Sequence, residues 1–367
     1  MDYSGPRELP KECGLEILSW SPAKQVARCR SLCKSFYTAT QSRSFHLLQA
    51  RRAKADAGVF LRGHFVGSQL VFTDESAGVP PESLQFLSSG NKIILGSNGG
   101  LVVLLEDGQE GPASSRLLLY NPARRTSLPL GRPGGAKILN NMSAGATILL
   151  GDGVDMDVVC VTPTDYWSSF MECWLYSSGE RRWKLVSDKV FVGPRNIKSH
   201  HPVPTSSGLI YLTSTCGRYH RQDPYIVAVD VKVGSSRILP LPEKAVLASD
   251  DGDIEIAVSG DGSLISLVVC NGASEFTIYD MKDPDRWVWE ERGLQVNMTS
   301  MGLEPRPIGG FSLVNSDILV FTVEEYVYVY DMHSGGGRKF ISRLPGCRSY
   351  IYSYANTLRP CGRSEEG

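Results

Sequence analysis

Strand-like segments with an aromatic residue near their ends recur about every fifty residues, and that beat limits what this chain can fold into more than any other feature. Five runs share one layout: LLLYNPARRTSLPL, CWLYSSGERRWKLV, YIVAVDVKVGSSRILPLP, FTIYDMKDPDRWVWEE and VYVYDMHSGGGRKFISRLP. Tyr120, Tyr176, Val229, Tyr279 and Tyr330 fall at equivalent places, and Phe72 in QLVFTDES extends the series upstream. A second marker keeps the same spacing. Small-residue turns at Gly100, Gly153, Gly208, Gly262 and Gly310 each precede an apolar run. Helical periodicity is missing here, and short β-rich runs alternate with Gly, Pro, Asn and Asp turns. A unit of this length reads as a four-stranded blade: a strand toward the centre after the glycine turn, then the Tyr-Asp strand, a β-turn, and an outer strand ending in Leu-Pro. One blade cannot bury both of its faces, so the ring must close before a core exists. The expected architecture is an all-β six-bladed propeller over residues 59–358, with 359–367 as a flexible C-terminal tail.

The first 54 residues read differently. Glu12–Ser19 carries Leu15 and Leu18 at helical spacing. Ser21-Pro22 then reads as an N-cap followed by proline at the first helical position. From Ala23 onward Val26, Cys29, Cys33 and Phe36 fall at i, i+3, i+7 and i+10, an amphipathic stripe that Leu32 and Tyr37 widen. A further helical piece covers Ser44–Ala55, and Gly58 marks the boundary. Charge divides at the same place. Residues 1–54 hold ten Lys/Arg against four acids, a net of +6, so the remainder carries −7 of the overall −1.

Two resemblances follow from these residues. Leu9-Pro10, Glu16-Ile17-Leu18, Ser21-Pro22, Val26 through Phe36 and Ser44-Phe45 form an ordered set that resembles an F-box, with its core over residues 7–46. Ser21, Cys29 and Phe36 depart from the usual Leu, large aliphatic residue and Trp. The repeat region resembles the kelch-type propeller that follows the F-box in many land-plant proteins. Tyr176/Trp183 and Tyr279/Trp287 fit its aromatic spacing, while Ser127, Arg237 and Arg338 stand near the Trp place in other blades. The resemblance implies a small all-α F-box module followed by a six-bladed kelch-like β-propeller. It also implies docking to a Skp-type adaptor, and through it to cullin and RING subunits of a ubiquitin ligase. The propeller would recruit a target protein, and the chain itself would catalyse nothing. A scaffold propeller outside any ligase and a propeller enzyme are the alternatives.

The residues support docking on their own account. Cys29 and Cys33 read as apolar core or interface residues, because zinc needs about four ligands and the nearest histidine is His46. Four acids lie in the first sixteen residues, and no aromatic or amide cluster accompanies the basic residues of 24–34, which argues against a nucleic-acid partner. A module of this size is marginal alone and completes its core by binding. The candidate adaptor-binding residues are Leu9, Pro10, Ile17, Leu18, Pro22, Val26, Leu32, Cys33 and Phe36. GxSxG, HExxH, P-loop and GxGxxG motifs are absent, so no catalytic residue, cofactor or metal is expected. His200-His201 reads as a solvated pair, and Asp250, Asp251, Asp253 and Glu255 as an exposed acidic turn. Target contacts are expected in two stretched connections, at Tyr166, Trp167 and Phe170 and at Arg218, Tyr219, His220 and Arg221. Apolar runs are too short to span a bilayer. Nine scattered cysteines without a CxxC pair, behind an N-terminus with no signal-like apolar run, point to the cytosol or nucleus.

Overall fold

The computed structural model describes residues 10–53, 56–63, 68–73, 78–88, 91–106, 114–134, 144–151, 153, 155–165, 168–216, 222–249, 252–259, 262–272, 275–341 and 349–362. Four helices lead: α1 (Lys11–Ser19), α2 (Ala23–Arg30), α3 (Lys34–Thr40) and α4 (Arg43–Arg52). The long stripe expected from Ala23 is broken at Ser31–Cys33. Cys33 is extended and caps α3, its Sγ accepting the Phe36 N–H, so Cys29 and Cys33 do not share a helix face. Pro22, rather than Ser21, holds the N-cap position of α2, with no side-chain cap. Ser42 caps α4 by accepting the Phe45 N–H.

Strands follow as β1 (Asp56–Gly63), β2 (Ser68–Phe72), β3 (Lys92–Asn98), β4 (Leu101–Glu106), β5 (Arg116–Asn121) and β6 (Thr126–Gly131). Next come β7 (Gly145–Leu150), β8 (Met156–Pro163), β9 (Phe170–Ser177) and β10 (Arg182–Phe191), then β11 (Val203–Pro204), β12 (Leu209–Thr213), β13 (Tyr225–Asp230) and β14 (Ser235–Pro240). After helix α5 (Glu243–Ser249) run β15 (Asp253–Val258), β16 (Ile265–Cys270), β17 (Glu275–Asp283) and β18 (Val288–Asn297). The last are β19 (Gly310–Val314), β20 (Ile318–Val323), β21 (Tyr326–Asp331), β22 (Gly336–Ile341) and β23 (Ser349–Ala355).

These strands form six antiparallel sheets. Five are consecutive four-stranded blades. The sixth is ordered β2-β1-β23, so the last strand of the chain pairs with the first, from Asp56↔Ala355 to Gly63↔Ser349. Gly58, expected at the domain boundary, lies inside β1. The innermost strands β3, β7, β11, β15, β19 and β23 touch in turn, and β23 meets β3 to close the ring. Second strands such as LVVLLE and ISLVVC are buried along almost their whole length, because a neighbouring blade covers each face. Outermost strands such as β22 are almost wholly exposed.

The repeat has a local physical basis. Asn121, Asp230, Asp283 and Asp331 each accept, on Oδ1, the N–H two residues on, at 2.8, 2.8, 3.0 and 2.8 Å. Four residues on, the chain turns left-handed, at Arg125, Gly234, Trp287 and Gly335. Ser177 and Arg181 occupy these places in the second blade. The equivalence of Tyr120, Tyr176, Val229, Tyr330 and Phe72 therefore holds, since all lie near the ends of third strands. Asp280, beside Tyr279, does not make the turn. It is buried in a two-pronged ion pair with Arg292, at 2.6 and 3.0 Å.

The glycine marker goes out of phase at its last member. Gly100, Gly153, Gly208 and Gly262 precede second strands, but Gly310 opens the innermost strand β19. The true turn there is Asn315-Ser316, both at positive φ. Gly310 is glycine for another reason: a Cβ at that position would sit 2.0 Å from the Ser349 carbonyl oxygen of β23. Gly310→Ala is expected to lower stability by about 2–3 kcal/mol through forced separation of the inner strands. Denaturant unfolding checks this, and an unchanged midpoint would contradict the close approach.

Candidate functional site

The four helices close over a small core of Leu18, Ala23, Val26 and Phe45, and the chain's far end contributes Leu358 to it. Leu15, Cys29, Phe36 and Ala123 pack against this cluster. Phe36 lies so close over α1 that a Cβ on Gly14 would come within 2.8 Å of its ring. Two expected docking residues are thus core: Val26 is fully buried and Leu18 nearly so. Pro22 and Phe36 are half-buried, and Pro10, Ile17, Leu32 and Cys33 are exposed. Leu9 lies outside the described residues.

Among the exposed side chains, Ile17 and Leu32 are large aliphatics at 59% and 76% exposure. Cys13, Ile17 and Trp20 share one face of α1 at i, i+4 and i+7. Trp20 is 62% exposed and Tyr37 52% exposed. Sequence reasoning did not pick Trp20, although an aromatic closing a helix just before a Ser-Pro turn was the available signal. The Arg52 guanidinium covers part of its ring, 5.2 Å from the centroid, and Arg52 also pairs with Glu16. The exposed apolar side chains therefore sit on α1 and at the α2–α3 corner, with charge beside Trp20.

A polar knot fixes α2 against α3 and α4. Arg30 donates to the Thr40 carbonyl at 2.6 Å, to Thr40 Oγ1 at 2.9 Å, and meets His46 Nε2 at 3.2 Å. With Arg30 donating, His46 must accept on Nε2, which requires the neutral ring. Burial, then the Arg124 and Arg30 charges, push the His46 pKa down to about 4.

Residues 356–362 are tightly held rather than loose. The Asn356 carbonyl accepts the Ala23 N–H, and the Leu358 N–H donates to Gln49 Oε1, whose amide in turn donates to the Ser21 carbonyl. Asn121 Nδ2 donates to the carbonyls of Thr357 and Arg359. Residues 359–362, expected at the start of a flexible tail, are buried; residues 363–367 lie outside the description.

In the ring, all six innermost strands and the last turn of α4 line a cavity of about 470 Å³. Deeper in, Lys198 is pinned by Asp253 at 2.7 Å, Glu255 at 2.9 Å and the Ile254 carbonyl at 2.6 Å. Burial works against the Lys198 ammonium, but the two carboxylates overcome it and hold its pKa high; Lys198 in turn holds the buried Glu255 carboxyl low. His201 Nδ1 lies 3.4 Å from Glu255, and the His200 ring sits on Tyr350. The histidine pair is therefore half-buried and packed in the ring rather than in a free loop, and Asp253 and Glu255 serve a structural lysine rather than an open acidic turn. Asp250 and Asp251 lie outside the described residues. Among the described residues no group of three His, Cys, Asp or Glu side chains is placed to hold a metal ion, and no helix is long and apolar enough to cross a membrane.

Of the expected target-contact residues only Phe170 is described. It is 40% exposed and its ring lies 5.6 Å from that of Phe191. Tyr166, Trp167, Arg218, Tyr219, His220 and Arg221 fall outside the described residues.

Residues 7–48 match the F-box domain family. The N-terminal helices form an F-box. Along its whole length the chain resembles F-box protein At5g49610 of Arabidopsis thaliana, with 22% identity over 98% of this chain and 100% of that protein. Solved structures with a similar outline include the putative TolB of Agrobacterium tumefaciens (TM-score 0.41, 13% identity, 82% of this chain and 98% of that one). Another is the oligogalacturonate lyase of Vibrio parahaemolyticus (TM-score 0.38, 11% identity, 66% and 75%). Likeness at that level carries no argument about activity.

The F-box is expected to be acid-sensitive through His46. Its folded pKa lies below the ordinary value of 6.5. The neutral ring thus contributes stability above about pH 6.5, and that contribution is lost as pH falls toward about 4. His46→Gln keeps an acceptor for Arg30 and removes the titration. Denaturation midpoints at about pH 7 and about pH 5 should fall further for the wild type than for the variant; equal falls would contradict the neutral-acceptor assignment.

Proposed function

We propose that this chain is the target-recognition subunit of a Skp–cullin–F-box ubiquitin ligase, acting in the cytosol or nucleus. The observation that carries the reading is the exposed apolar set of the F-box. Its helices already have a filled core in Leu18, Val26, Phe45 and Leu358, yet Ile17, Trp20, Leu32 and Tyr37 stand in water. Folding does not use that area, and burial against an adaptor would recover about 25 cal/mol for each Å² removed from solvent. The F-box match over residues 7–48 supports a Skp-type adaptor as the partner of such a face.

The ring then serves as the target-binding part. Its blades are fixed by closure and present loops from a rigid frame, where binding residues commonly sit. The contribution to ubiquitin transfer is proximity: the ligase supplies the conjugating machinery, and the chain raises the effective concentration of a bound target beside it. No catalytic role is assigned to the chain. A kelch-type propeller is supported by the T-shaped Tyr176–Trp183 contact at 5.4 Å.

Co-expressed with a Skp-type adaptor, the full-length protein is expected to co-elute with it in size-exclusion chromatography. The Ile17→Glu, Leu32→Glu double variant should bind at least about ten-fold more weakly. Its unfolding midpoint should be unchanged, because both side chains are exposed. Adaptor binding by the double variant at wild-type strength would refute this docking face.

A further inference from the structure

The channel cavity has a charge pattern that neither the F-box nor a general target-binding role accounts for. Its described lining includes Arg51, Arg359 and His201 and not one carboxylate. Arg359 is the unusual member. It is 5% exposed, and its guanidinium reaches over Gly99 to within 3.5 Å of the Gly153 carbonyl. Its buried Nε has no hydrogen-bond partner. An arginine so placed, lining a cavity and with neither an ion pair nor full hydrogen bonding among the described residues, leaves a substantial desolvation cost uncompensated. Burial and the nearby Arg51 charge both disfavour its protonated form.

The rest of the wall says what could relieve that cost. Leu150 lies beside Arg359 across Gly99, and Val258 adds a second part-exposed aliphatic side chain to the lining. The volume of about 470 Å³ falls within the range of small-molecule sites. We propose that this cavity binds a small organic anion, its carboxylate or phosphate head against Arg359 and Arg51 and its apolar body along Leu150 and Val258. Arg51 belongs to α4 of the F-box, so a bound anion bridges the helical module and the ring. The site stands apart from the adaptor face and is unaffected by whether that docking reading holds.

The test titrates the full-length protein, by isothermal titration calorimetry, with benzoate and with phenyl phosphate. The two share an apolar ring and differ in their anionic head; benzyl alcohol is the uncharged control. Saturable one-site binding is expected for at least one anion and not for the alcohol, and the tighter of the two tells carboxylate from phosphate. Arg359→Gln should weaken binding by about ten-fold or more, the worth of a charge-assisted hydrogen bond. Because Arg359 also spans two turns, Arg51→Gln at an exposed helix position provides a second variant, expected to weaken binding about three-fold with an unchanged unfolding midpoint. Absence of saturable binding by either anion, or undiminished affinity in both variants, would overturn the proposal.

Discussion

The structure depends on what the last described residues of the chain do. Strand β23 supplies the innermost strand of the blade that β1 and β2 begin, so the ring is closed by hydrogen bonds between its two ends. Residues 356–361 then continue into the F-box without a break. The Asn356 carbonyl receives the Ala23 N–H, Gln49 holds both the Leu358 N–H and the Ser21 carbonyl, and Leu358 fills the helical core. Cys361 ends up buried in the core of the first two full blades. One short segment thus closes the propeller and glues the F-box to it.

This coupling bears on function. Under the proposed function, proximity requires a docking face and a target-binding face that keep a fixed relation. The F-box and ring share side chains rather than a linker. Asn121 shows how closely the two parts are bound. Its Oδ1 makes the blade's turn, and its Nδ2 holds the carbonyls of Thr357 and Arg359. The cavity lining reaches the same junction, taking in Ala50 and Arg51 of α4 and Arg359.

The ring was legible in the sequence because four of its blades repeat one chemical device. An Asn or Asp ends the third strand and a left-handed residue follows four places later, so the period shows even where the aromatic changes, as at Val229. Glycine was a less faithful marker because it answers two different needs. Gly100 makes a turn, whereas Gly310 makes room for a neighbouring backbone. On the F-box the family pattern located the module but not its inner and outer faces. Leu18 and Val26 look as apolar as Ile17 and Leu32, and what separates them is Leu358, more than three hundred residues away. Long-range partners also explain the misread tail, the histidine pair and the acidic cluster. No local pattern announces that Arg359 lines a cavity or that Asp253 and Glu255 close on Lys198.

The central claim is that the C-terminal segment makes the F-box and the ring one mechanical unit. Hydrogen–deuterium exchange of the full-length protein and of Leu358→Ser tests it most directly. Faster exchange is expected in α1, α2 and α4 of the variant, with β16 and β20 unchanged. Helix amides that exchange at the wild-type rate would contradict the claim.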